Sequence, residues 1–128
     1  ACLHVQHGVG GGQTLASALS RLEGTQKAIW ADAYIRAHDC KLVAGKIDMI
    51  YPKDTLGEPC ILHKTIPLLN VGSATRGYQL GRGEPTYVEK AMMRPTTMGH
   101  GVLHAKIRKR SKIEDPSANW NVEFSVEL

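Results

Sequence analysis

The stretch Leu3-His4-Val5-Gln6-His7-Gly8-Val9-Gly10-Gly11-Gly12, followed some twenty residues later by Asp32-Ala33-Tyr34-Ile35-Arg36-Ala37-His38-Asp39-Cys40-Lys41, decides how this chain folds. Leu3 to His7 alternates apolar and polar residues, the period of a strand. It runs into four glycines in five residues, where positive φ and close approach to the backbone are allowed. From Thr14, a plausible N-cap, Leu15, Leu19 and Leu22 recur at helical spacing and form an apolar stripe. Gly24 ends or weakens that helix, and a further turn runs from Gln26 to Trp30. Asp32 to Arg36 then reads as the next strand. Strand, glycine turn, helix and strand make a βαβ unit with a parallel pair and a right-handed crossover. Ligands of such units bind at the carboxyl ends of the strands, where His7 and His38 stand.

Beyond Lys41 the pattern changes, so the fold class is α/β with α+β possible: a βαβ unit followed by mainly antiparallel strands. Leu42 to Tyr51 reads as a strand containing Gly45, residues 53–59 as a turn, and Cys60 to Leu69 as another strand. Pro67 argues that this last strand is an edge or is bent. Tyr78 to Pro85 is rich in glycine and irregular, and Tyr87 to Met93 is good for one or two helical turns stopped by Pro95. Gly101 to Arg108 and Trp120 to Glu127 alternate and pair as a hairpin around residues 115–119. There is no internal repeat and no interior linker, so residues 1–128 form one domain.

With 128 residues, 42% hydrophobic and 22% charged, the composition is that of an ordinary globular protein, which excludes a disordered tail, a coiled coil and a disulfide scaffold. A chain of this length buries roughly two-thirds of its unfolded surface without staples. Aromatics are only 5%, so aliphatic residues must build the core. The net charge of +4 is too small for a dedicated nucleic-acid wrapper. It is uneven, however: Lys106, Arg108, Lys109, Arg110 and Lys112 fall within seven residues. Such a run can contact phosphates, although a solvated hairpin end is the commoner outcome. Cys2, Cys40 and Cys60 form neither a disulfide framework nor a CxxC knuckle. Reduced thiols and the lack of a signal-like start point to the cytoplasm, and no apolar run is long enough to span a membrane.

Of the six histidines, His4 and His63 lie inside strands and read as packed or solvent-facing. His100 and His104, four apart on an extended strand, would be about 13 Å apart, too far to share an ion. His7 and His38 each end a strand and precede a turn. Two imidazoles brought together there could hold Zn, Mn or Fe.

The order of these segments resembles the C-terminal half of calcineurin-like metallophosphoesterases of the phage and bacterial type. His7-Gly8-Val9-Gly10-Gly11-Gly12 is similar to their HGxGGG stretch, and Ala37-His38-Asp39-Cys40 falls where they carry GHxH. Asn70-Val71-Gly72-Ser73 is similar to their N-x-GS loop. Arg76-Gly77-Tyr78, Thr86 to Lys90, Arg94-Pro95 and Gly99 are similar to their closing segment. The resemblance covers about residues 3 to 107 and implies a half of the family's sandwich. It implies that His7 and His38 are catalytic metal ligands, with Cys40 where the family's last histidine ligand stands. Ala37 replaces the glycine. The DxH, GDxxD and GNHD motifs of the family's first half do not occur in these residues.

Two-metal hydrolysis needs ligands for both ions, and His7, His38 and Cys40 supply three at most. The expected activity is therefore that of a divalent-metal phosphodiesterase or nuclease completed by another chain, with the isolated chain inactive. The alternative is a catalytically inert remnant that binds or assembles, and contacts nucleic acid through residues 106–112. Either way, a half-fold exposes sheet edges, so a homodimer or a complementing chain is the expected partner.

Overall fold

The computed structural model describes residues 1–8, 14–38, 40–55, 58–73, 77–78, 81, 83–92, 98–109 and 120–128, excepting the side chains of 51–55, 58–60 and 62. It is a mixed α/β structure whose described elements are six strands in two sheets and two helices. In order they are β1 (Leu3–His7), α1 (Leu15–Ala28), β2 (Ala33–Ala37), β3 (Val43–Thr55), β4 (Glu58–Asn70), α2 (Tyr87–Lys90), β5 (Val102–Lys109) and β6 (Trp120–Glu127). The larger sheet has the order β1-β2-β4-β3, and β5 and β6 form a separate ribbon. β1 and β2 pair in parallel, with Leu3 beside Ala33 and His7 beside Ala37. β2 and β4 are also parallel, and β3 returns antiparallel to β4 over thirteen residues. The βαβ reading of the first forty residues thus holds in strand direction and order.

α1 starts where the sequence places it. The Thr14 hydroxyl accepts from Ser17 N at 3.2 Å, occupying one of the amides a helix leaves unpaired. The helix does not stop at Gly24. It runs unbroken to Ala28, because Gly24 faces open space and tertiary packing on either side carries the helix past it. The buried face also differs from the leucine stripe. Ala18 and Leu22 are fully buried and Leu19 partly so, whereas Leu15 lies exposed in the first turn. This face covers β2, β3 and β4. Leu22, Ala31, Tyr34, Ile66 and Leu68 form the core, with Leu19, Ile47 and Met49 packed around it.

Tyr34 fastens the helix exit to the sheet. Its hydroxyl donates to Ile29 O at 2.5 Å and accepts from Ala31 N at 2.7 Å. Burial pushes its pKa above the usual tyrosine value, although the Ala31 bond opposes this. Asp32, also buried, accepts from Cys2 N at 2.5 Å and pairs with Lys64, so the charge entering the core is compensated.

The proline in β4 does not make it an edge. β4 lies between β2 and β3. Val71 N–H donates to Arg36 O at 2.9 Å, and strand amides alternate sides. Position 67 therefore faces the β2 side beside Ala33, where an amide would point at the carbonyl of Asp32, one residue before β2 begins. The missing N–H costs no rung of the ladder. β3 is also longer than its sequence pattern. It runs to Thr55, through the first residues of the expected turn, and β4 resumes at Glu58.

The other face of the sheet, carrying Thr65 and Pro67, looks toward β6. The layers are therefore helix, four-stranded sheet and ribbon. α2 is one short helix capped by Thr86 and Glu89 in a reciprocal capping box. β5 and β6 pair from Val102–Glu127 to Lys109–Trp120, as expected, while the turn at 115–119 lies outside the described residues. Among the described residues no helix is long and apolar enough to cross a membrane.

Candidate metal centre at the carboxyl edge of the sheet

Because β1, β2 and β4 run the same way, their carboxyl ends share one edge. His7 closes β1, Ala37 closes β2 with His38 directly after it, and Asn70 closes β4. His7 and Ala37 are register partners, and His38, the residue after Ala37, leaves strand geometry at positive φ with its ring beside His7. Their ring centroids are 4.8 Å apart at an interplanar angle of 77°. A tetrahedral zinc ion with bonds near 2.0–2.1 Å holds two ring nitrogens about 3.3 Å apart, which two exposed rings this close can meet. The two imidazoles supply at most two of the four positions that such an ion needs.

The backbone here departs from the rest of the sheet. His38 has φ +93° and Cys40 φ +51°, in the left-handed half of the map that L-residues with a Cβ avoid. These values turn the chain from β2 into β3 within five residues. Such strain persists where surrounding structure enforces it, and it concentrates at functional sites. Cys40 directs its thiol at His38 O, 3.5 Å away. Among the described residues no group of three or more His, Cys, Asp or Glu side chains converges to hold an ion. His7 and His38 come together, and Cys40 does not close a third position with them. Asp39 and the glycines at 10–12 lie outside the described residues.

Two residues beneath the histidines complete the edge. Arg36 is only 5% exposed. A Cβ on Gly8 would stand 2.3 Å from its Nε, so position 8 must be glycine for the guanidinium to lie where it does. Gly8 N donates to Ala37 O at 3.2 Å, which continues the β1–β2 pairing one residue past His7. Arg36 thus fixes a buried positive charge under the first residue of the glycine stretch. Sequence reading passed over Arg36; the available signal was a charged residue inside the otherwise apolar strand Ala33–Ala37. Asn70 is fully buried. Its Nδ2 donates to Lys41 O at 2.6 Å and ties β4 to the turn after Cys40. Its Oδ1 has no hydrogen-bond partner among the described residues, an open acceptor at the floor of the edge.

The basic run sits elsewhere, on the ribbon. Pairing places His104, Lys106 and Arg108 on one face with Glu123 and Glu127, and Lys109 on the opposite face beside Trp120. Arg108 bonds Glu123, and His104 lies 3.1 Å from Glu127. The Arg108 hydrogen bond, helped by the charges of Arg108 and Lys106, holds the Glu123 carboxyl below its usual range. The described cations are thus interleaved with carboxylates, and Arg110 and Lys112 lie outside the described residues. Of the other histidines, His4 stacks obliquely on Tyr34 at 5.7 Å, and His63 lies 3.6 Å from Asp48.

A cleft of about 450 Å³ opens between the sheet and β6, lined by Lys46, His63, Thr65, Pro67, Val122 and Phe124 among others. Asp32 and Glu123, the carboxylates on its wall, are each already paired. It does not include His7 or His38. In comparisons with known proteins, no family model, curated protein or solved structure matches the chain.

Proposed function

We propose that this chain carries part of a divalent-metal phosphoesterase site, with His7 and His38 as its metal-holding, catalytic side chains, and that a complementing chain supplies the remaining ligands. The observation that carries the reading is the pair of imidazoles, 4.8 Å apart, at the carboxyl ends of adjacent parallel strands. The resemblance of the surrounding segments to metallophosphoesterases gives that pair its chemistry. A bound Zn, Mn or Fe ion at such a site activates water and stabilises a leaving oxygen. Arg36 holds a positive charge behind His7, where a phosphate's negative charge is favoured. Asn70 holds the turn after Cys40 against β4 and so positions His38. The isolated chain, with two imidazoles and one thiol, binds an ion without turning over substrate. The same reading places the protein in the cytoplasm, where Cys40 stays a thiol.

The test is metal analysis and calorimetry with Zn and Mn on the wild type, His7→Ala and His38→Ala. Hydrolysis of bis(p-nitrophenyl) phosphate with Mn is measured alongside. Binding of one ion per chain that is lost in both variants supports the proposal. Absence of any bound ion refutes it.

A second reading is a binding or assembly module that has lost catalysis. Ala37 in place of glycine and the Cys40 thiol turned to a backbone carbonyl favour it. Its nucleic-acid version uses Lys106, Arg108, Lys109, Arg110 and Lys112, and requires affinity for a DNA duplex that falls steeply with salt.

A further inference from the structure

The two edges of the larger sheet are built differently. β3, at one edge, carries Lys46, Asp48, Pro52, Lys53 and Asp54 along its length. Charges and proline are the usual means of keeping an edge strand from pairing with another chain. β1, at the other edge, has none of them: residues 2–8 read Cys-Leu-His-Val-Gln-His-Gly. α1 packs chiefly on β2, β3 and β4 and reaches β1 through the Gln6–Thr25 hydrogen bond. Leu3 and Val5 are 43% and 63% exposed on the face away from the helix. Among the described residues no strand pairs with the outer side of β1.

We propose that β1 is a dimerisation edge, pairing antiparallel with β1 of a second copy about a twofold axis at Val5. That register sets Val5 against Val5, Leu3 against His7 and His4 against Gln6. On one face Val5 then meets Val5 and Leu3 lies beside the His7 ring, and on the other face His4 and Gln6, both hydrogen-bonding, oppose each other. No charged residue opposes another, and the contact is isologous, so it closes at two copies. An acidic or basic partner finds no counter-charge on this strand, which is why a second copy is its occupant. The ribbon is a poorer candidate. Self-pairing of β5 would bring Lys106, Arg108 and Lys109 together, and self-pairing of β6 would oppose Glu123 and Glu127. Two joined sheets would form one of eight strands. The contact is small, so the dimer is expected to be weak and concentration-dependent. The proposal stands on the chemistry of the edge and not on metal binding.

Sedimentation velocity of the full chain from about 1 to 200 μM tests it. A concentration-dependent monomer–dimer equilibrium is expected. Val5→Lys should raise the dissociation constant at least tenfold, whereas Ile50→Lys on β3 should leave it unchanged, both with wild-type circular dichroism. A second arm does not depend on tolerance of lysine. In a Cys2→Ser background, Val5→Cys should form a disulfide-linked dimer under mild oxidant, since facing residues of an antiparallel pair lie about 4.5–5.5 Å apart at Cα, within disulfide range. Leu15→Cys on α1 should not. A monomer across the whole range, a dimer insensitive to Val5→Lys, or equal crosslinking by both cysteine variants would overturn the proposal.

Discussion

Replacing His38 by alanine and by glycine separates two properties that the structure assigns to one residue. At φ +93°, a residue with a Cβ pays about 1–2 kcal/mol for left-handed backbone. Alanine removes the imidazole and keeps that cost. Glycine removes both, but its freer unfolded chain returns about 0.5–1 kcal/mol. The glycine variant should therefore be more stable than the alanine variant by about 0.5–1 kcal/mol, a Tm difference of roughly 2–5 °C for a domain of this size. Both should lose metal to the same extent, because the ring is gone from each. Calorimetric melts in EDTA isolate the backbone effect, and zinc titration of the same samples reads the ligand effect. Equal stability, or a less stable glycine variant, would show that the backbone at 38 is not strained. Undiminished zinc affinity in either variant would show that His38 is not a ligand.

Gly24→Ala should stabilise the chain by about 0.5–1 kcal/mol in urea unfolding, because Gly24 is inside α1 with open space where a Cβ would go. Tyr34→Phe should cost about 1–2 kcal/mol, since Ile29 O and Ala31 N lose their shared partner. The Tyr34 pKa is raised in the folded state, so the stability it contributes is intact below the ordinary tyrosine range and is lost as pH rises through the folded value. Alkaline melts of the wild type should show that loss, and those of the phenylalanine variant should not. Glu123 is the opposite case: its folded pKa is lowered, so the Arg108 pair contributes above the ordinary carboxylate value and fades as pH falls through the folded one. Glu123→Gln should flatten the acid side of the ribbon's stability. If the ribbon binds nucleic acid, the substitution should also tighten duplex binding and steepen its salt dependence by about one phosphate contact.

The readable parts of the fold were those governed by local chemistry. Thr14 ahead of a helical run, the alternation of Leu3 to His7, and the paired alternating segments at the carboxyl end each specify an element through neighbours a few residues away. The misread parts depend on distant residues. Gly24 looks like a helix end until Leu22 packs with Ile66 and Leu68, after which the helix is held on one side and tolerates glycine on the other. Pro67 looks like an edge signal until the stagger of β2 is known. The strand begins one residue too late to need its amide. Leu15 looks like core by spacing alone, but it falls in the first turn, beyond the part of α1 that reaches the sheet.

The site divides along the same line. His7 and His38 were legible because each stands at the end of a strand, and parallel pairing brings those ends to one edge, with His7 opposite Ala37 and His38 the next residue. Arg36 and Asn70 were not legible as part of the edge, because their role depends on burial. A charge in a strand can face solvent in one fold and a helix in another. Here Gln6, Arg36 and Asn70 form one row across β1, β2 and β4 on the side that carries α1, with Gln6 bonded to Thr25 of the helix. That row puts the guanidinium under Gly8, and it explains the glycine better than any turn requirement does. The first glycine of the stretch is there to let a buried cation approach the backbone behind His7. A Gly8→Ala chain would have to move Arg36 to fold, and so would change the electrostatics of the edge while leaving both imidazoles in the sequence.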